Sequence, residues 1–166
     1  TIGYSNRADV YLELEDYENA LADYTKAIDL DKENPELYNY RASYYKSLED
    51  YTNALKDYDK AIELAPDEPL HYNERADFYE TQGNYDEALK DYATAIEIST
   101  DSFSTARAIN NRALIYDLNE NFDEAIVEYT KALTYLKHEI IYTQRAEDYL
   151  KLEDYEKALA DYTSAI

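Results

Sequence analysis

Five copies of one block organise this chain. DYENALADYTKAIDL, DYTNALKDYDKAIEL, NYDEALKDYATAIEI, NFDEAIVEYTKALTY and DYEKALADYTSAI are variants of a single pattern. Ala20, Ala54 and Ala88 fall 34 residues apart; Ala125 follows after 37 and Ala158 after 33. Ala27, Ala61, Ala95, Ala132 and Ala165 hold a second common phase. A shorter motif precedes each block: NRADVY, YRASYY, ERADFY, NRALIY and QRAEDY, with Ala8, Ala42, Ala76, Ala113 and Ala146. A period of this length marks a repeat array, in which each unit touches mainly its neighbours.

Each unit reads as two helices. In the first, Tyr4, Ala8 and Tyr11 lie at helical spacing. After a break at Glu15-Asp16, a second stripe runs through Tyr17, Ala20, Leu21, Tyr24, Ala27 and Ile28. Asp16, Asp50, Asn84, Asn121 and Asp154 stand where the second helix needs an acceptor for its free amides. Pro35 and Pro69 suit the first turn of a helix, where a missing N–H costs little. Small residues at fixed phases let backbones approach, and tyrosines fill the gaps between them. One such hairpin cannot bury its own apolar face, so hairpins must stack.

The run of large, small and tyrosine residues, followed by the tyrosine–alanine second helix, resembles the tetratricopeptide repeat (TPR) family over essentially the whole chain. The resemblance implies an all-α solenoid, a right-handed superhelix of helix–turn–helix units whose first helices line a concave groove. It implies a single domain over 1–166, with repeats at about 1–34, 35–68, 69–102, 106–138 and 139–166 and an insertion at 103–105. The 21 tyrosines sort onto four packing phases, leaving only Tyr40, Tyr44 and Tyr135 for other roles. The insertion, in STDSFST at 99–105, reads as a tolerated loop, with a partner contact as the alternative.

Two departures from the family pattern carry expectations. The turn inside each hairpin usually holds glycine, which only Gly83 keeps; Glu15, Glu49, Glu120 and Glu153 stand there instead, at about 1 kcal/mol each if left-handed. Arg7, Arg41, Arg75, Arg112 and Arg145 occupy a phase that the family usually fills with leucine on the buried side. A buried cation needs a partner. Acids at a constant phase supply one, predicting the pairs Arg7–Asp23, Arg41–Asp57, Arg75–Asp91, Arg112–Glu128 and Arg145–Asp161, or the same acids reached across a repeat boundary. An arginine row that binds an anionic ligand is the alternative.

Composition narrows the function classes. Against 37 Asp and Glu stand 16 Lys and Arg, a net charge of -21. That opposes nucleic-acid binding and docking on anionic membrane. Cysteine is absent, and His71 and His138 sit at unrelated phases, so no metal or nucleophile constellation is expected. No cofactor is expected, and the chain does not read as an enzyme. Without an initiator Met, and ending inside an apolar stripe, it reads as a fragment or processed chain.

Function is expected on a second face of each first helix, where packing does not dictate the residues. The candidates are Asn6, Asp9, Asn39, Tyr40, Asn73, Glu74, Asp77, Asn110, Asn111, Leu114 and Gln144. An amide both donates and accepts, so a row of asparagines suits a peptide backbone; their being ordinary exposed polar residues is the alternative. The first three repeats give this face five acids and no base, which favours a ligand with a basic stretch. An anionic tail, gripped in some TPR proteins by Lys, Asn and Arg, is not expected, because the matching places hold Ser5, Asp9, Tyr40, Leu70 and Glu74. The expected role is a protein-interaction scaffold binding a peptide segment. A spacer or self-association module, using an exposed terminal face with Leu159 and Tyr162, is the alternative.

Overall fold

A computed structural model describes residues 1–166. It holds ten α-helices and no strand: α1 (Ile2–Glu13), α2 (Tyr17–Leu30), α3 (Pro35–Ser47), α4 (Tyr51–Leu64), α5 (Pro69–Thr81), α6 (Tyr85–Ile98), α7 (Ser102–Leu118), α8 (Phe122–Tyr135), α9 (Glu139–Lys151) and α10 (Tyr155–Ser164). The chain forms two compact units, Thr1–Phe78 and Tyr79–Ile166.

In the first unit the repeat alanines vanish from solvent and tyrosines close over them. Ala8, Ala20, Tyr24 and Tyr44 form one cluster, with Tyr11, Leu21 and Tyr45 against it. Ala27, Ile28, Leu37, Tyr38 and Ala61 form another, joined by Tyr4 and Leu64. The second unit has its core at Ile109, Ala113, Ala125, Tyr129, Ala132, Leu133 and Ile141. A large apolar side chain buried this fully contributes about 1.5–3 kcal/mol. Tyr44 is not left over, as its phase suggested. It is buried, its ring 5.7 Å from that of Tyr24, and its hydroxyl donates to the Tyr17 carbonyl at 2.9 Å. The phenol supplies both the apolar area and the polar end that this gap requires. Tyr40 and Tyr135 do remain exposed.

The hairpin turns repeat one geometry. Glu15, Glu49, Glu120 and Glu153 have φ of 58–59°, and Gly83 has 71°. The next residue's N–H reaches back to a tyrosine carbonyl each time: Asp16 to Tyr11 at 2.8 Å, Asp50 to Tyr45 at 2.9 Å and Asn121 to Tyr116 at 2.9 Å. That bond closes the first helix and holds a glutamate in a conformation it disfavours. Asp16, Asp50 and Asp154 then cap the second helices, accepting from the amides of Asn19, Asn53 and Lys157. Asn84 and Asn121 make no such side-chain bond. A carboxylate offers two acceptors and a charge suited to the helix start, whereas an amide offers one acceptor and a donor that is repelled there.

The insertion is helix rather than loop. Residues 103–105 lie inside α7, which has 17 residues where α3, α5 and α9 have 13. Asp101 caps it, accepting from the Ser104 amide at 2.9 Å. Nearly one turn of added chain lengthens a helix at little cost once a cap is present.

Candidate functional site

Most of the arginines lie against a carboxylate on the second helix of their own hairpin. Arg7 donates to Asp23 through two nitrogens, at 2.6 and 2.8 Å. Arg41 meets Asp57 at 2.7 and 2.9 Å, and Arg145 meets Asp161 at 2.7 Å twice. Arg112 places two nitrogens on one oxygen of Glu128, at 3.1 and 2.6 Å. Arg75 and Asp91 stand in separate units; within its own unit Arg75 donates to Asp59 at 2.6 Å. Tyrosine rings flank several guanidiniums, Tyr38 and Tyr45 beside Arg41, and Tyr142 and Tyr149 beside Arg145. Such cations are committed to packing and leave no open row for an anion. The Arg7 guanidinium holds the Asp23 carboxyl below the usual range. Arg7 itself departs from the buried expectation, its side chain being 56% exposed. Arg41, 18% exposed, also reaches Thr25 on α2.

The second face of α1, α3 and α5 differs from the exposed row that the sequence suggested. Asn6 is exposed, but Asn39 and Asn73 are buried, at 7% and 0%. Packing does bear on this phase, because neighbouring first helices close over it. The Asn39 Nδ2 lies 2.6 Å from Nδ1 of His71 on α5. An amide nitrogen only donates, so Nδ1 accepts and this imidazole is neutral. Burial pulls the His71 pKa below its ordinary value, against the opposing pull of Glu68 and Glu36. Asn39 Oδ1 and both polar atoms of the Asn73 amide are buried without a partner. A recess of about 170 Å³ opens here, lined by Glu36, Asn39, Tyr40, Ser43, Leu70 and Glu74.

Negative charge dominates this face. Asp9 accepts from the Tyr24 hydroxyl at 2.5 Å. Burial pushes the Tyr58 phenol up to about 12; its bond with Ser43 pulls the other way, and Glu74 and Asp77 push it further up.

In the second unit, Asn110 Oδ1 and Gln144 Oε1 are likewise buried and unpartnered. Asn111 is half-buried, and Leu114 packs against the Ile109 cluster. A larger recess of about 270 Å³, beside Asp123, Glu124, Val127 and Glu128, touches none of these amides. His138 caps α9, accepting from the Ile140 amide at 3.2 Å. No group of three or more His, Cys, Asp or Glu is placed to hold a metal ion. No helix is long and apolar enough to cross a membrane.

Two buried polar residues escaped the sequence reading. His71 shares its phase with Leu37 and Ile141, and Asp148 shares its phase with Tyr44, Phe78 and Ile115, all of them buried. A polar residue at a phase that is otherwise apolar was the available signal. Asp148 is 1% exposed; Lys151 donates to it at 3.0 Å and also bonds Asp117.

Family models described as Tetratricopeptide repeat match residues 5–69 and 67–138. No curated protein sequence matches the chain. Among solved structures, yeast Tom70 is similar over 98% of this chain and 35% of its own, with 25% identity and a TM-score of 0.85. PilF of Pseudomonas aeruginosa is similar over 98% and 73%, with 20% identity and a TM-score of 0.82. YrrB, described as a TPR protein with an unusual peptide-binding site, is similar over 98% and 83%, with 22% identity and a TM-score of 0.66.

Proposed function

The chain belongs to the tetratricopeptide repeat family, whose members generally serve as protein-interaction scaffolds, and from that premise we propose that its amide-bearing face binds an extended peptide segment of a partner protein. The carrying observation, within the first unit, is the unpartnered buried amide atoms on Asn39 and Asn73, with Asn39 at the wall of the recess that Glu36, Ser43 and Glu74 also line. Each such atom costs about 1–3 kcal/mol if left unsatisfied. A peptide backbone supplies alternating donors and acceptors that relieve this cost without fixing a sequence. The description of YrrB as peptide-binding is consistent with this use of the fold. Asp9, Glu36, Glu74 and Asp77 favour a segment with a basic stretch, so affinity falls as salt rises.

Peptide display against the immobilised chain, beside an Asn39→Ala/Asn73→Ala/Asn110→Ala variant, tests the reading. A basic motif enriched by the wild type and lost by the folded variant is the expected result. Enrichment that survives the variant overturns it. A second reading, self-association, draws on the exposed apolar residues Leu152, Tyr155 and Leu159 of the second unit. Mass that rises with concentration in light scattering supports it; a strict monomer at high concentration removes it.

A further inference from the structure

The Asn39 amide is not free to both donate and accept. Its nitrogen is turned to His71, 2.6 Å away, and that imidazole is a wholly buried group, 1% exposed. An amide is planar, with oxygen and nitrogen on opposite arms. Fixing the nitrogen on His71 therefore fixes Oδ1 away from it, where the oxygen is buried and unpartnered. Asn39 lines the recess, and so does the exposed carboxylate of Glu36. Glu74 adds a second carboxylate to the wall, and the exposed Tyr40 and Leu70 add apolar surface. A site with a carbonyl oxygen and carboxylates asks its ligand for donors and positive charge, and its ring and aliphatic walls suit a methylene stem.

The geometry points to a seat for one lysine side chain of the bound peptide in the recess between α3 and α5, with Asn39 Oδ1 and Glu36 receiving the ammonium and His71 acting as the positioning residue that keeps the oxygen presented. This rests on the peptide-binding reading above and narrows it at one subsite. The volume, about 170 Å³, suits a lysine side chain and is small for a folded element. The same phase holds a buried leucine, Leu37, in the preceding repeat; a leucine in place of His71 would leave the amide without its partner and free to turn. The imidazole therefore does something for Asn39 that packing alone does not require.

The test uses the full chain, isotope-labelled, titrated by NMR with blocked pentapeptides Ala-Ala-X-Ala-Ala. In these X is lysine, norleucine or glutamine. Lysine is expected to move the Asn39 side-chain amide and His71 ring signals, with the other two at least about 10-fold weaker, the loss of one charge-assisted hydrogen bond. Asn39→Leu and Glu36→Gln should each weaken the lysine peptide by about the same factor, whereas Asn39→Asp, which keeps an acceptor, retains it. His71→Leu should reduce the preference for lysine over glutamine while the helical circular dichroism stays close to wild type. Equal response to all three peptides overturns the lysine seat and leaves the peptide-binding reading standing. Silence at Asn39 and His71, with display-selected peptides shifting other residues of the face, also overturns the seat alone. Silence everywhere, together with failed display, overturns both.

Discussion

Replacing Asp148 by asparagine should make the protein more stable at neutral and higher pH. Asp148 occupies a core phase, 1% exposed, with Oδ2 unpartnered. The charged groups acting on it are Asp117 on α7 and Lys151 on α9, and the neutral Tyr129 phenol on α8 also lies within its field. Burial is the largest influence on its carboxyl and the neighbouring Asp117 adds to it; Lys151 opposes them, and the pKa stands near 7 against an ordinary 3.8. The sign follows from proton uptake. Between about pH 4 and 7 the folded chain holds a proton that the unfolded chain has released, so stability falls as pH rises and the loss is complete above 7. At about 1.4 kcal/mol per pH unit the penalty, shared with Asp117, is on the order of a few kcal/mol. The amide removes it but leaves one poorly satisfied polar atom, at about 1–2 kcal/mol. Asp117 and Lys151 keep each other, so no lone charge is created. The expected net gain at pH 8 is about 2–3 kcal/mol, raising a urea midpoint by about 1 M. At pH 4 the gain should shrink below about 0.5 kcal/mol, by the same linkage. Urea unfolding of Asp148→Asn and wild type at both pH values decides it. Equal midpoints at pH 8, or a gain that does not change with pH, would refute the reasoning.

Other perturbations follow from the same contacts. Arg41→Ala strands Asp57, whose side chain is 5% exposed, and should cost about 3 kcal/mol in urea unfolding, whereas Arg41→Leu/Asp57→Leu should recover most of that. Glu49→Gly and Glu120→Gly relieve left-handed glutamates at φ 59° and should each raise stability by about 1 kcal/mol in thermal melts. His71, its pKa lowered by burial, keeps its full contribution above the ordinary imidazole range near 6.5; below it the unfolded chain takes up a proton first and stability falls. His71→Leu should remove that part of the acid slope, which paired denaturation curves between pH 4 and 7 would show.

Much of the architecture was legible because a repeat writes the same physics five times. Alanines at one phase and tyrosines at another identify helix faces without reference to any partner. The recurrence of Asp57, Asp161 and Glu128 opposite Arg41, Arg145 and Arg112 made contacts sixteen residues apart readable, since a hairpin with a short turn brings those phases together. The left-handed glutamates were legible too, as the places where glycine was missing. The loop assigned to residues 103–105 was misplaced, because a single extra turn of helix leaves little trace in composition.

What the sequence determined by itself is whatever depends on one hairpin: helix, turn, cap and the partner on the adjacent strand of chain. Tertiary structure alone decided what lies between hairpins. Asn39 looked like an exposed amide with two functions; stacking α5 beside α3 buried it, took its donor for His71 and left one acceptor. Asp148 is one of 37 acids, and packing places it where its sister positions carry Tyr44 and Ile115. Periodicity assigns a face to each helix. Only the approach of a second helix sets which atoms on that face lose their water, and it is the loss of water that turns a polar side chain into a site or a liability.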